Sequence, residues 1–132
     1  MKEIDKLALI DLENGQILGT RSKGKTTFYL PGGKRDPGES DEQALIREIK
    51  EELNVDLLTD TIDYLGTFQA QADGKAAGVT VKMTCYTANY DGIPAPTSEI
   101  EEIRWLTYLD IDLVSEVDKK IFDFLKEKGM LV

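Results

Sequence analysis

The segment GKRDPGESDEQALIREIKEELNV, Gly33 to Val55, is a loop punctuated by glycine and proline that runs into a helix. Ser40 followed three residues later by Gln43 is a capping-box start, and Leu45, Ile49 and Leu53 recur at helical spacing. The sequence therefore predicts a helix from Ser40 to about Leu53. Each helical residue turns about 100°, which places Glu48, Glu51 and Glu52 on one sector bordering that apolar stripe. Carboxylates crowded at the edge of a core are costly unless something positive neutralises them. Hard oxygen donors clustered without histidine or cysteine suit Mg²⁺ or Mn²⁺ rather than zinc. Taken alone, Glu-x-x-Glu-Glu has a plainer reading, a solvated acidic helix face with Arg47 and Lys50 as partners.

Composition narrows the chemistry further. A chain of 132 residues fits a single domain, residues 1–132, with enough core to fold without disulfides or a structural metal. The absence of histidine removes His-based triads and the usual His-rich zinc sites. A net charge of −9 repels a nucleic-acid backbone, so no nucleic-acid polymer is expected as partner; a small anion could still bind through divalent cations. Cys85 is the single cysteine, which rules out an intrachain disulfide and agrees with a reducing cytoplasm. No apolar run approaches the roughly 20 residues of a membrane span, and the acid-containing start MKEIDK is unlike a signal peptide. The expectation is a cytoplasmic protein with no membrane partner, monomeric or homodimeric.

Outward from the helix, Lys6–Leu12 reads as a strand with Gln16–Arg21 as its hairpin partner across Glu13-Asn14-Gly15. Phe28-Tyr29-Leu30 is a short strand ending at Pro31-Gly32-Gly33. Strands follow near Ile62–Ala70 and Gly78–Asn89, and in the second Val79, Val81, Met83 and Cys85 share a face, which makes Cys85 a core residue. Asp91-Gly92, Pro94 and Pro96 form a loop, Glu102–Leu106 a further strand. A last helix covers about Ser115–Lys128 with Val117, Ile121, Phe124 and Leu125 on its apolar face. Strands alternating with two helices predict an α/β fold, a mixed β-sheet with helices packed on its faces.

Gly33, five residues, Glu39, seven residues, Arg47-Glu48-Ile49, one residue, Glu51-Glu52, one residue, Asn54-Val55 resembles the Nudix box, the signature of the Nudix hydrolase family. Eight of nine specified positions match, a coincidence on the order of one in ten million per start position at typical residue usage. The departure is Asn54, where the family usually has glycine just past the helix; asparagine is the next most tolerant residue of a left-handed conformation. Pro31-Gly32-Gly33-Lys34, Pro37-Gly38-Glu39-Ser40 and the Trp105-Leu106 strand also look like the family's elements.

The resemblance implies an α/β/α sandwich and hydrolysis of a phosphoanhydride bond in a nucleoside diphosphate derivative by metal-activated water. It implies Glu48, Glu51 and Glu52 as ligands of Mg²⁺ or Mn²⁺ with the Gly33 carbonyl, Glu39 and Arg47 as a structural pair, and Glu99 as an added acid, with Glu101 and Glu102 as rivals. Glu48 or Glu99 would take the proton. Arg21, Lys23 and Lys25 could meet phosphate or form a solvated loop. Asp118 could read a base edge or be a helix-dipole acid. Trp105 and Tyr86 could stack on a base or pack in the sheet.

Downstream of the box, Ala70-Gln71-Ala72 carries neither the proline of ADP-ribose enzymes nor the tyrosine of dinucleoside polyphosphate enzymes. A nucleoside triphosphate, normal or oxidised, remains as substrate by elimination. The alternatives are an ADP-ribose or other nucleotide-sugar pyrophosphatase and a non-catalytic nucleotide-binding module.

Overall fold

The computed structural model describes residues 2–132. In chain order the elements are β1 (Lys2–Leu9), β2 (Leu12–Glu13), β3 (Gln16–Ser22), β4 (Gly32–Gly33), α1 (Asp41–Leu53), β5 (Asp56–Leu57), β6 (Asp63–Gln71), β7 (Val79–Thr87), β8 (Tyr90–Asp91), β9 (Ile100–Leu106) and α2 (Glu116–Glu127). Short 3₁₀ turns cover Thr59–Thr61 and Tyr108–Leu113. The main sheet has the order β4-β1-β7-β6 and is mixed: β1 and β7 are parallel, the other pairs antiparallel. β2, β3 and β9 form a second, antiparallel sheet, and β5 pairs with β8.

The run Leu7-Ala8-Leu9-Ile10 is apolar at every position because both faces of the sheet are covered. Leu7 and Leu9 pack with Ala44, Leu45, Ile49 and Leu53 of α1. Ala8 and Ile10 pack on the other side with Val117, Ile121, Phe122 and Leu125 of α2. The result is the α/β/α layering expected from the sequence. Cys85 is fully buried in the second of these clusters, and burial pushes its thiol up, so it is an inert core residue.

Three details depart from the sequence reading. Lys6–Leu12 and Gln16–Arg21 are not one hairpin. β1 starts at Lys2, ends at Leu9 and lies in the main sheet, while β3 pairs chiefly with β9. The chain turns between the sheets at Asp11, which is 8% exposed and accepts a 2.7 Å hydrogen bond from the Tyr90 hydroxyl. Only Leu12–Glu13 pairs across the Asn14-Gly15 turn, whose residues both have positive φ (54° and 77°). Phe28–Leu30 makes single bridges to Thr20 and Val114 instead of a strand. In α2 it is Phe122 that is fully buried; Phe124 is half-buried, with its ring edge against Phe68 at 5.3 Å.

Candidate active site

Ser40 caps α1 as the sequence predicts: its hydroxyl accepts from the Gln43 N–H at 3.1 Å, and the Gln43 side chain accepts from the Ser40 N–H at 2.9 Å. The far end closes at Asn54, whose φ of 56° and ψ of 39° are left-handed. A connection invisible in the sequence also covers this end. The Thr97 N–H donates to the Glu52 carbonyl at 3.1 Å, the Thr97 hydroxyl to the Glu51 carbonyl at 2.5 Å, and the Ala95 N–H to the Leu53 carbonyl at 3.0 Å. The loop that leads to Glu99 is thereby fastened to the last turn of the glutamate helix, whose final carbonyls lack partners within the helix.

The loop before α1 lies directly on its glutamates. Gly32 pairs with Ala8 of β1 at a φ of 149°, and a side chain there would fall 2.0 Å from the Leu7 carbonyl oxygen. At Gly33 an added Cβ would lie 2.5 Å from the Glu48 carboxylate. Glycine is therefore required at position 32 for the backbone to approach β1 this closely, while a side chain at position 33 would displace the Glu48 carboxylate. The Gly32 N–H donates to Glu52 at 3.0 Å, so the same dipeptide adjoins both carboxylates.

Arg47 organises the other side. Its guanidinium grips Glu39 with two hydrogen bonds of 2.8 Å, donates to the Lys34 carbonyl at 3.0 Å and to Glu48 at 2.8 Å. Arg47 beside Glu39 holds that carboxyl down at about 2. Glu48 and Glu52 go the other way. Burial raises both, Glu52 to about 7, with the neighbouring charges of Glu48 and Glu51 adding to the effect on Glu52. A partly buried carboxylate beside two like charges is an oxygen-rich environment that a hard divalent cation would relieve, so the donor set fits such an ion. The ligands are not fully assembled. Among the described residues no three acidic side chains converge as a ready cation cage. Glu48 is engaged by Arg47, and Glu51 is 53% exposed, 3.5 Å from that same guanidinium.

A cleft of about 270 Å³ opens beside Gly32, Gly33 and Glu52, lined also by Lys6, Lys25 and Tyr29. It adjoins a cavity of about 80 Å³ between Tyr29, Met83, Val81, Ala72 and the start of α2 at Ser115 and Val117, with Lys6 common to both. Asp118 lies behind this wall, fully buried. Its Oδ2 accepts from the Ser115 hydroxyl at 2.8 Å and the Leu30 N–H at 3.2 Å, while its Oδ1 has no partner. Burial raises its carboxyl to about 6.

The other sequence candidates fall elsewhere. Arg21 is held between Glu101 and Glu102, at 2.9 Å from each, so both rivals of Glu99 are engaged with it. Lys23 and Glu99 are exposed and joined through the backbone, the Lys23 N–H donating to the Glu99 carbonyl at 2.9 Å. The Glu99 side chain makes no hydrogen bond or ion pair with the described residues. Tyr86 donates its hydroxyl to Asp41 at 2.6 Å, and Tyr86 and Trp105 both pack against the core cluster under α1, away from the cleft. Lys6 was not singled out by its sequence, although it interrupts the alternation Ile4-x-Lys6-x-Ala8-x-Ile10 with a charge.

Residues 4–127 match the family model described as NUDIX domain. The chain belongs to the Nudix family. Over 79 residues it is 32% identical to the CTP pyrophosphohydrolase of Escherichia coli (strain K12), a stretch spanning 57% of each protein. Over 40 residues it is 52% identical to a Bacillus subtilis (strain 168) protein provisionally named an 8-oxo-dGTP diphosphatase, of which that stretch is 27%. The chain thus aligns with little more than half the length of the first of these relatives and about a quarter of the second. Among solved structures, the MutT protein of Methanosarcina mazei Go1 matches at a TM-score of 0.76 with 20% identity, covering 97% of this chain and 96% of that one.

Nudix membership gives the box residues a common context. The family comprises hydrolases acting on acid anhydrides in small nucleotide substrates, and its members use divalent metal cations. The Nudix fold accounts for the α/β/α layering and for the glycine loop laid on the glutamate helix. No helix among the described residues is long and apolar enough to cross a membrane.

Proposed function

We propose that the chain is a Nudix hydrolase of nucleoside triphosphates, normal or oxidised, that acts in the cytoplasm with Mg²⁺ or Mn²⁺. The observation that carries this reading is the meeting of Glu48 and Glu52 on the Gly32–Gly33 backbone at the edge of a cleft large enough for part of a nucleotide. Glu48, Glu52 and the Gly33 carbonyl would hold the ion, with Glu51 joining when it leaves Arg47. A divalent ion there would neutralise the phosphate chain and acidify a water. Arg47, tied to Glu39, fixes the loop so that the Gly33 carbonyl and the carboxylates keep their relative positions. Water attacks phosphorus, the anhydride P–O bond breaks, and the leaving phosphate takes the bonding pair. The water proton passes to a carboxylate, for which Glu48, raised by burial, is better suited than an ordinary surface acid.

Asp118 supports a role in base recognition. An unpartnered buried carboxylate oxygen behind an apolar slot lined by Tyr29, Val81 and Met83 suits a base that presents an amino or ring N–H donor. The ion pairs of Arg21 weigh against its use as a phosphate ligand, and Lys25, which lines the cleft, is the better placed cation of that loop.

The test is a panel of normal and oxidised nucleoside triphosphates, ADP-ribose, nucleotide sugars and dinucleoside polyphosphates, each with Mg²⁺. A triphosphate should give the highest kcat/KM. Faster turnover of ADP-ribose or a nucleotide sugar would overturn the substrate class, and no turnover of any would leave a nucleotide-binding module.

A further inference from the structure

β4 pairs with β1 only at Leu7 and Ala8, so among the described residues the outer edge of β1 from Lys2 to Lys6 has no partner strand. Along that edge runs a cavity of about 520 Å³ lined by Lys2, Lys6, Lys34 and Lys75, with Glu3, Asp5, Ile4 and Val79. Its two acids are already engaged: Glu3 accepts from the Gln69 amide at 2.6 Å, and Asp5 pairs with Arg35 at 2.7 Å. None of the four lysine side chains has a hydrogen bond or ion pair among the described residues. In a chain of net charge −9, four unpaired cations against two carboxylates leave the lining of this cavity net positive. An unpaired strand edge adds free backbone polar groups to the same wall.

This cavity shares Lys6 with the cleft beside Gly33 and Glu52, and Ile4, Lys6 and Lys75 with the slot beside Tyr29. Strand alternation turns Lys6 toward the α2 side with Ile4 and Ala8, where an apolar residue would pack better. Lys34 immediately follows the glycine that adjoins Glu48. Lys75 is carried by the loop after Ala72, which is tied to α2 through Asp73 accepting from the Glu116 N–H at 2.9 Å.

We propose that this lysine-lined cavity is an anion subsite that takes the departing phosphate chain of the substrate, with Lys6 at its junction with the catalytic cleft. The inference rests on the triphosphate reading and deepens it. A sugar phosphate leaving group brings one phosphate and a bulky polyol, whereas inorganic pyrophosphate is compact and carries more charge to match four unpaired ammonium groups.

The experiment uses inorganic pyrophosphate as the probe, titrated calorimetrically into the whole protein in excess Mg²⁺ and assayed as an inhibitor of the best triphosphate. The variants are Lys75→Met, the double variant Lys6→Met/Lys75→Met, and Lys128→Met as a remote control for lost charge. Pyrophosphate should compete with the nucleotide. Its affinity should fall several-fold in Lys75→Met and tenfold or more in the double variant, with the melting temperature retained, and should change less than twofold in Lys128→Met. Unchanged affinity in the double variant overturns the proposal. So does noncompetitive inhibition, which would mean a separate regulatory phosphate. If no nucleotide is turned over, the calorimetric arm still reads the cavity, so failure of the proposed function and failure of the subsite are distinguishable.

Discussion

Replacing Asp118 by asparagine should stabilise the metal-free protein at pH 8 and leave it nearly unchanged at pH 4. Asp118 is fully buried, its Oδ1 is unpartnered, and burial raises its carboxyl from the ordinary 3.8 to about 6. Between those two values the folded state binds the proton more tightly than the unfolded chain. The cost of burying the charge is therefore absent below pH 3.8 and fully present above about pH 6. The rise corresponds to about 3 kcal/mol. Asparagine keeps an acceptor for Ser115 and Leu30 but brings an amide N–H₂ that also needs a partner, so a gain of about 1–2 kcal/mol is expected, or roughly 3–10 °C in Tm. Thermal unfolding of both proteins at pH 4, 6 and 8 in a chelator measures it, and Glu52, which titrates in both, cancels in the difference. A difference that does not change with pH, or an Asp118→Asn protein less stable than wild type at pH 8, would refute the reasoning.

Further outcomes follow from the same geometry. Glu39→Gln should destabilise the protein at pH 7, because the folded carboxyl is held at about 2 by Arg47; the deficit should shrink as pH falls from 4.5 toward 2, and urea unfolding across that range checks it. Asn54→Gly should leave kcat/KM within about threefold and Tm within a few degrees, since glycine adopts the left-handed conformation at no cost; a tenfold fall without loss of stability would mean that the side chain works at the site. Thr97→Val should cost about 1 kcal/mol and speed amide exchange in the last turn of α1, because the hydroxyl bonded to the Glu51 carbonyl is lost; equal exchange in both proteins would show the tether to be idle.

What the sequence revealed, and what it hid, divides along the reach of the interactions. The capping box at Ser40, the apolar stripe of α1 and the left-handed Asn54 depend on residues within a few positions of one another, and all three were legible. So were β6 and β7 as strands, with period-2 alternation marking the covered face of β7. The separation of β1 and β3 into different sheets was not, because β1 takes β7 and β3 takes β9 as partners, both far along the chain. At the site, the spacing of Glu48, Glu51 and Glu52 exposed the acidic sector, but not that Arg47 would engage Glu48 and leave Glu51 outside. Neither reading of Arg21, phosphate contact or solvated loop, included its ion pairs, because Glu101 and Glu102 arrive from β9 across the sheet. Lys6 had a local signal, a charge in an apolar alternation, but its meaning needs the cavities on both sides.

The most direct test of the account is the rate of triphosphate hydrolysis as a function of Mg²⁺ for the wild type and Glu52→Gln. Glu52 is the box carboxylate held against the glycine loop and raised by burial to about 7. Wild-type turnover should be negligible in chelator and saturate with Mg²⁺. Glu52→Gln should remain folded, with a Tm at pH 8 no lower than wild type, and turn over at least about a hundredfold more slowly at saturating Mg²⁺. Near-wild-type turnover by Glu52→Gln, or wild-type hydrolysis indifferent to Mg²⁺, would contradict the assignment of the site.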